Sequence, residues 1–313
     1  NSERYPLGFD PYTQRFFLNR IAFSPNFMTD GILSSFTGLR NLEKVEMYIE
    51  DSSGNIIYNL GDFSEYTGTP WKFRKNIMAY SDLKYGGYMW DMMDESGQFV
   101  PDGVYQYVIK STLDYENARP QVVKMPITVD SIAPTVSDIT ITPKNGKYEI
   151  SFNPQDNATD FKYAELYVNG QYYLLSVGQK VQLVNSEPKG IVIRAVDYAG
   201  NMAYKVWGDT SYNKPSMAVQ TISITPSANL NQNKPAVISA WAYGRVDWTF
   251  NVRDASGIIV DSFEVKNEHT VKTTWFPNKD LPNGTYSITA DVVTKDGFKV
   301  TTAPKQVTVL QQP

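Results

Sequence analysis

A two-part cassette occurs twice in the chain, and it constrains the fold more than any other feature. Asp51-Ser52-Ser53-Gly54-Asn55-Ile56-Ile57 is echoed by Asp254-Ala255-Ser256-Gly257-Ile258-Ile259-Val260. Downstream, Val100-Pro101-Asp102-Gly103-Val104-Tyr105 is echoed by Leu281-Pro282-Asn283-Gly284-Thr285-Tyr286. The first part reads as a strand, a tight turn and a strand. The second reads as a turn opening into a strand with an inward-facing tyrosine. Copies this far apart imply at least two separate modules of one β architecture. Stacked β-sandwich modules usually hold, space or dock other molecules, which turns the functional reading away from catalysis.

The length of 313 residues is too great for one ordinary sandwich and suits two or three domains. Abundant Tyr (21) and Phe (15) favour strands, and a hydrophobic fraction of 42% is enough for substantial cores. A net charge of −4 with interspersed signs offers no electrostatic basis for gripping nucleic acid. No cysteine is present, so structural disulfides and thiolate chemistry are excluded. No apolar run approaches the roughly 20 residues of a membrane span. The start, Asn1-Ser2-Glu3-Arg4, lacks Met and an apolar h-region, and the chain reads as an excised part of a larger, secreted or surface protein.

Boundaries are expected at Ala133-Pro134 and near Lys214-Pro215, where proline fixes φ and restricts its predecessor. The resulting expectation is an all-β chain of three tandem sandwiches: 1–133, with an insertion at about 58–90, then 134–215 and 216–313. One-proline joints predict an elongated rod. Val136-Ser137-Asp138-Ile139-Thr140-Ile141-Thr142-Pro143 and Val219-Gln220-Thr221-Ile222-Ser223-Ile224-Thr225-Pro226 read as matching opening strands. The apolar period is two: Tyr148, Ile150 and Phe152 share one face, as do Trp248, Phe250 and Val252. Asn145-Gly146 and Asn169-Gly170 signal tight hairpins. In the insertion, Phe73–Ala79 reads as a short helix and Tyr85-Gly86-Gly87-Tyr88 as a glycine-rich turn. Loop insertions of this kind often carry binding functions.

The inventory for catalysis is thin. A Ser-His-Asp triad would depend on His269, the one histidine, which sits in Val265–Val271 and reads as a solvated hairpin turn. Zinc is poorly served. Asp91 and Asp94-Glu95 beside Trp90 form the one acidic cluster with aromatic company, and a polar turn accounts for it as well as paired carboxylates do. Phosphate-binding glycine loops are missing. Calcium wants several oxygens from closely spaced loop residues, and Asp156, Asp160, Asp197 and Asn201 offer them. The same residues suit plain turns. Sugar binding would need exposed aromatics, for which Trp71, Tyr88, Trp241 and Tyr243 are the candidates.

Val100-Pro101-Asp102-Gly103-Val104-Tyr105 through Val129-Asp130-Ser131-Ile132-Ala133-Pro134 resembles the fibronectin-III-like region of Gram-positive cell-envelope subtilisin-like serine proteinases, the lactocepin and C5a-peptidase group. In that family a Pro-Asp-Gly-x-Tyr strand and a Val-Asp-x-x-Ala-Pro linker join sandwich domains downstream of the catalytic domain. Tyr167-Val168-Asn169-Gly170 and Arg194–Asn201 resemble the bacterial Ig-like repeats that follow. The resemblance covers residues 15 to 205 and implies non-catalytic spacer and protein-interaction modules outside the cell. Their partners would be an upstream catalytic domain and protein substrates. The subtilase catalytic motifs are missing, as is a sorting motif before Gln311-Gln312-Pro313, so proteolysis itself is not carried over. The alternative is a wall-polysaccharide-binding or adhesion module independent of a protease.

Overall fold

The computed structural model describes residues 14–18, 21–26, 32–38, 42–62, 89–113, 116–117, 119–156, 161–176 and 178–311. The chain is all-β and divides into two compact units, Asn1–Ile132 with Tyr198–Gly200, and Ala133–Asp197 with Asn201–Pro313. The expected helix at Phe73–Ala79 and the turn at Tyr85–Tyr88 lie outside the described residues.

The first unit contains β1 (Gln14–Leu18), β2 (Ala22–Phe23), β3 (Ile32–Gly38), β4 (Leu42–Glu50), β5 (Ile56–Asp62), β6 (Met89–Trp90), β7 (Gly103–Leu113) and β8 (Gln121–Val129). One sheet has the order β2-β8-β7-β4-β5 and the other β1-β3-β6. Alternation sends Met47 and Ile49 of β4, Tyr105, Tyr107 and Ile109 of β7, and Met125 and Ile127 of β8 into one cluster with Trp90. The Trp90 and Tyr105 rings meet edge-on at 5.6 Å. Burying a side chain of this class stabilises by roughly 1.5–3 kcal/mol.

The second unit opens with β9 (Thr135–Val136), β10 (Thr140–Lys144), β11 (Lys147–Ser151), β12 (Pro154–Gln155), β13 (Phe161–Val168), β14 (Gln171–Leu174), β15 (Val181–Val184), β16 (Gly190–Asp197) and β17 (Met202–Gly208). Sheets β10-β11-β15 and β14-β13-β16-β17 enclose Ile150, Phe152, Leu166, Val168 and Ile193. Both Asn-Gly pairs form the expected two-residue turns. Lys144 pairs with Lys147 across Asn145 (φ 53°) and Gly146 (φ 73°), and Val168 with Gln171 across Asn169 (φ 50°) and Gly170 (φ 74°).

It continues with β18 (Val219–Thr225), β19 (Ala236–Arg253), β20 (Ile259–Trp275), β21 (Gly284–Thr294), β22 (Lys299–Thr301) and β23 (Lys305–Val309). β19 pairs with β18 through its first half, with β21 through its second, and with β20 along both. The order β23-β21-β19-β20 therefore repeats the order β8-β7-β4-β5 of the first unit. The cassette occupies equivalent places in both. Asp51 and Asp254 start the β4–β5 and β19–β20 turns, and the Pro-x-Gly segments lead into β7 and β21. Tyr105 donates its hydroxyl to the Pro101 carbonyl at 2.7 Å, and Tyr286 to that of Pro282 at 2.8 Å.

Two sequence expectations are corrected. His269 lies within strand β20, not in a hairpin turn. Asn267, whose φ of 53° resembles a turn residue's, sits in a bulge where the pairing jumps from Trp248↔Val265 to Val246↔Glu268. The matching opening strands also differ. β18 is continuous, whereas Val136 and Thr140 belong to separate sheets. The break falls at Ser137, which donates its N–H to the Asn153 carbonyl and accepts the Asn153 N–H on its hydroxyl.

Candidate functional site

The acidic residues weighed as chemistry meet a recurrent local device. In Asp51–Asn55, Asp94–Gln98, Asp197–Asn201, Asp254–Ile258 and Thr294–Phe298, the first residue's N–H donates to the fifth residue's carbonyl at 2.9–3.2 Å. The fifth N–H returns to the first side chain at 2.8–3.0 Å. The fourth residue is always glycine at φ between 77° and 97°, a left-handed conformation costly for any side chain with a Cβ. An Asp-x-x-Gly-x segment is thus a closed turn in which the carboxylate replaces missing backbone partners. The hydrogen bond from Asn55 holds the Asp51 carboxyl below its usual range, and that from Ser96 does the same for Asp94.

This accounts for the acidic cluster beside Trp90. Asp94 closes its turn, Asp91 accepts from the Met93 N–H at 3.2 Å, and Glu95 accepts from the Asn59 N–H at 2.6 Å. Of the calcium candidates, Asp197 and Asn201 are both buried and bonded to each other through the Asn201 amide at 2.8 Å. One carboxylate oxygen of Asp156 lies within 4.8 Å of one of Asp197, a spacing that a single hard cation can bridge. Asp160 lies outside the described residues.

The aromatic candidates separate. Trp71 and Tyr88 lie outside the described residues. Trp241 is half exposed at 50%, opposite in facing to the buried Trp248. Tyr243 is partnered, because the Arg194 guanidinium lies 3.8 Å from its ring centroid.

Arg194 is the residue that the sequence reading missed. It is 4% exposed, in a strand whose every residue is buried. Its Nη2 meets Glu165 Oε2 at 2.5 Å, and its Nη1 donates to the Met217 carbonyl at 3.2 Å. Tyr204 donates to the same carbonyl at 3.0 Å, and Tyr167 to Glu165 at 3.1 Å. Burial pushes the Tyr204 hydroxyl up to about 12 and raises Tyr167 as well. Around this polar centre, Tyr204 stacks on Phe298 at 4.9 Å and its backbone N–H donates to Asp296. Lys214 donates to the Gly170 carbonyl at 2.6 Å. Val192 and Tyr204 share one apolar cluster with Met217, Ala218 and Trp248. The Lys214-Pro215 segment, expected from sequence to be a boundary, lies within one compact unit and is surrounded by side chains from β13, β16, β17, β19 and the β21–β22 turn. The available signal was a lone charge inside the apolar run Ile191-Val192-Ile193-Arg194-Ala195-Val196, which must find a buried partner.

In the first unit, the two stretches that carry the family resemblance are bonded to each other. Asp102 accepts from the Ser131 N–H and from its hydroxyl, each at 2.9 Å. Asp130, fully buried, accepts from the Ile132 N–H at 2.9 Å. The proline-led turn thereby fixes the start of the linker.

No protein-family model matches the chain, and no curated protein is significantly similar to it. Among solved structures, the chain is similar to tandem repeats from the extending region of a large adhesion protein. The identity is 13% and the TM-score 0.24, over 92% of this chain and 73% of that one. It is also similar to part of a bacterial ice-binding adhesin, with 11% identity and a TM-score of 0.29 over 99% and 100% of the two chains. A third similarity is to latent PorU of Porphyromonas gingivalis, with 11% identity and a TM-score of 0.27 over 96% of this chain and 34% of that one. Among the described residues, no helix is long and apolar enough to cross a membrane.

Proposed function

We propose that the chain is a non-catalytic extracellular segment that spaces and presents neighbouring parts of a larger bacterial surface protein. One observation carries this reading. The carboxylates weighed as catalytic or ligand groups, Asp94 and Asp197 among them, accept the hydrogen bonds that close strand-to-strand turns. Their chemistry serves the scaffold. The packing around Arg194 supports the spacer role, since a segment held against a buried ion pair resists bending more than a bare linker does.

The finer assignment places these modules downstream of a subtilisin-like catalytic domain, with protein substrates as further partners. It is supported by the Pro101-Asp102-Gly103 turn and the Val129-Asp130-Ser131 linker, which Asp102 ties together. Calcium bridging Asp156 and Asp197 would stiffen the second unit further.

The test is mass-spectrometric sequencing of the intact parent protein from secreted and wall fractions. Peptides of a subtilase domain preceding Asn1 are the expected result. A parent recovered only from the cell interior would sink the extracellular reading. An extracellular parent without a protease domain would sink only the finer assignment and favour a stand-alone adhesion protein.

A further inference from the structure

The outer face of β18, β19 and β20 carries hydroxyl side chains around a single exposed tryptophan. Register places Thr221, Trp241 and Thr270 side by side across the three strands, and Ser223, Ser239 and Lys272 in the next row of that face. Thr225 and Thr274 extend the outer columns by one more row. Alternate residues on the same strands, among them Ile238, Ala240 and Val271, point into the core, which fixes the face from behind. Thr221, Ser223, Thr270 and Lys272 are exposed, and Trp241 is 50% exposed at the centre of its row. Rows of hydroxyls therefore stand about 4.8 Å apart across strands and about 6.7 Å apart along them, beside one indole ring.

We propose that this face docks an uncharged polysaccharide chain, with Trp241 as the platform on which a sugar ring stacks. Indole offers a broad apolar plane, which suits the C–H face of a pyranose, while the ring's equatorial hydroxyls need donors and acceptors at its edges. Thr221 and Thr270 supply them on either side of Trp241, and Ser223 and Ser239 supply them one step along. Charge complementarity selects the ligand: none of these side chains is acidic, and the single cation, Lys272, is too little to hold a polyanion. The composition also argues against a protein partner. Protein interfaces concentrate aromatics, Met and Arg and are depleted in Ser, whereas here one aromatic stands among hydroxyls. The proposal does not depend on the spacer reading, which survives its failure.

Affinity electrophoresis of the full chain tests it, in gels containing hydroxyethylcellulose, galactomannan or dextran as neutral polymers and polygalacturonate as an anionic one. Retardation in at least one neutral gel is expected, with apparent affinity falling at least tenfold in Trp241→Ala. Thr221→Lys, which plants a long charged chain beside the indole, should weaken it comparably. Trp207→Ala, which removes another partly exposed tryptophan on β17, should leave it intact, with thermal melting confirming that each variant is folded. Migration unaffected by every neutral polymer overturns the proposal. So does retardation confined to polygalacturonate, and so does retardation that both Trp241→Ala and Thr221→Lys leave unchanged.

Discussion

Replacing Arg194 with Met should loosen the second unit. The substitution keeps an unbranched chain of similar reach but removes the charge. Three interactions go together: the 2.5 Å ion pair to Glu165, the hydrogen bond to the Met217 carbonyl and the stacking on Tyr243. The carbonyl keeps the Tyr204 hydroxyl as a donor, so it is not stranded. Glu165 is in a worse position, because its side chain is 16% exposed and retains only the Tyr167 hydroxyl among the partners described above. Breaking one side of a buried pair typically costs about 3–5 kcal/mol, most of it the burden of the charge left behind. The double variant Arg194→Met/Glu165→Met removes both charges and should recover much of that loss, since an apolar pair of similar volume is often neutral. Native-state hydrogen exchange is the assay, because the first unit serves as an internal control. Opening free energies for peptides in β16, β18 and β19 should fall by roughly 3–5 kcal/mol, while those in β7 and β8 stay unchanged. A loss below about 1 kcal/mol in the single variant, or a double variant worse than the single, would refute the argument that burial of an unpaired Glu165 dominates.

Tyr105→Ala and Tyr286→Ala should each cost roughly 3–5 kcal/mol by denaturant unfolding of their own unit, whereas Tyr→Phe at either site should cost only about 1 kcal/mol for the lost hydroxyl bond. Equal costs for Phe and Ala would show that the hydroxyl, not the buried ring, matters. Tyr204 titrates near 12 when folded, above its unfolded value of about 10. Its contribution is therefore complete below pH about 10 and is lost as pH rises towards 12. In Tyr204→Phe the melting temperature should fall less steeply over that window than in the parent chain; parallel curves would contradict the assignment. Calcium should raise the melting temperature of the second unit relative to EGTA, by the equivalent of about 2.7 kcal/mol at a hundred times Kd, and Asp156→Asn should abolish the rise. Identical melting in calcium and EGTA would leave Asp197 as a turn residue alone.

The periodicity of the chain made its strands legible, and turn chemistry made their connections legible. Asn145-Gly146 and Asn169-Gly170 form the expected hairpins because only residues tolerant of positive φ fit a two-residue turn with strand-compatible twist. The two cassettes announced equivalent sheets because each part encodes a local requirement: a side-chain-closed turn in one, a tyrosine bonded to a carbonyl four residues back in the other. The same turn at Asp94 and Asp197 was harder to recognise. Without the following Ile-Ile or Ile-Val strand, Asp-x-x-Gly looks like a cluster of oxygens as readily as like a turn.

Long-range assembly was not legible, and the reason is geometric. Arg194 draws on Glu165, Met217, Tyr204 and Tyr243, up to about fifty residues away in sequence, and none of those positions carries a pattern that names its partner. What the sequence does carry is a constraint: an ionised guanidinium within a strand buried on both faces demands an opposite charge and acceptors there. The facing strand β13 provides one candidate at the right parity, since Glu165 is the register partner of Arg194. A cross-strand pair between two central strands could thus be inferred once the sheet order is known. The carbonyl of Met217 and the ring of Tyr243 could not, because they reach Arg194 only through the packing of β18 and β19 against that sheet. The packing of the Lys214–Pro215 segment inside the second unit is therefore a long-range property, and it is there that substitutions should alter that unit's stability without altering any recognisable motif.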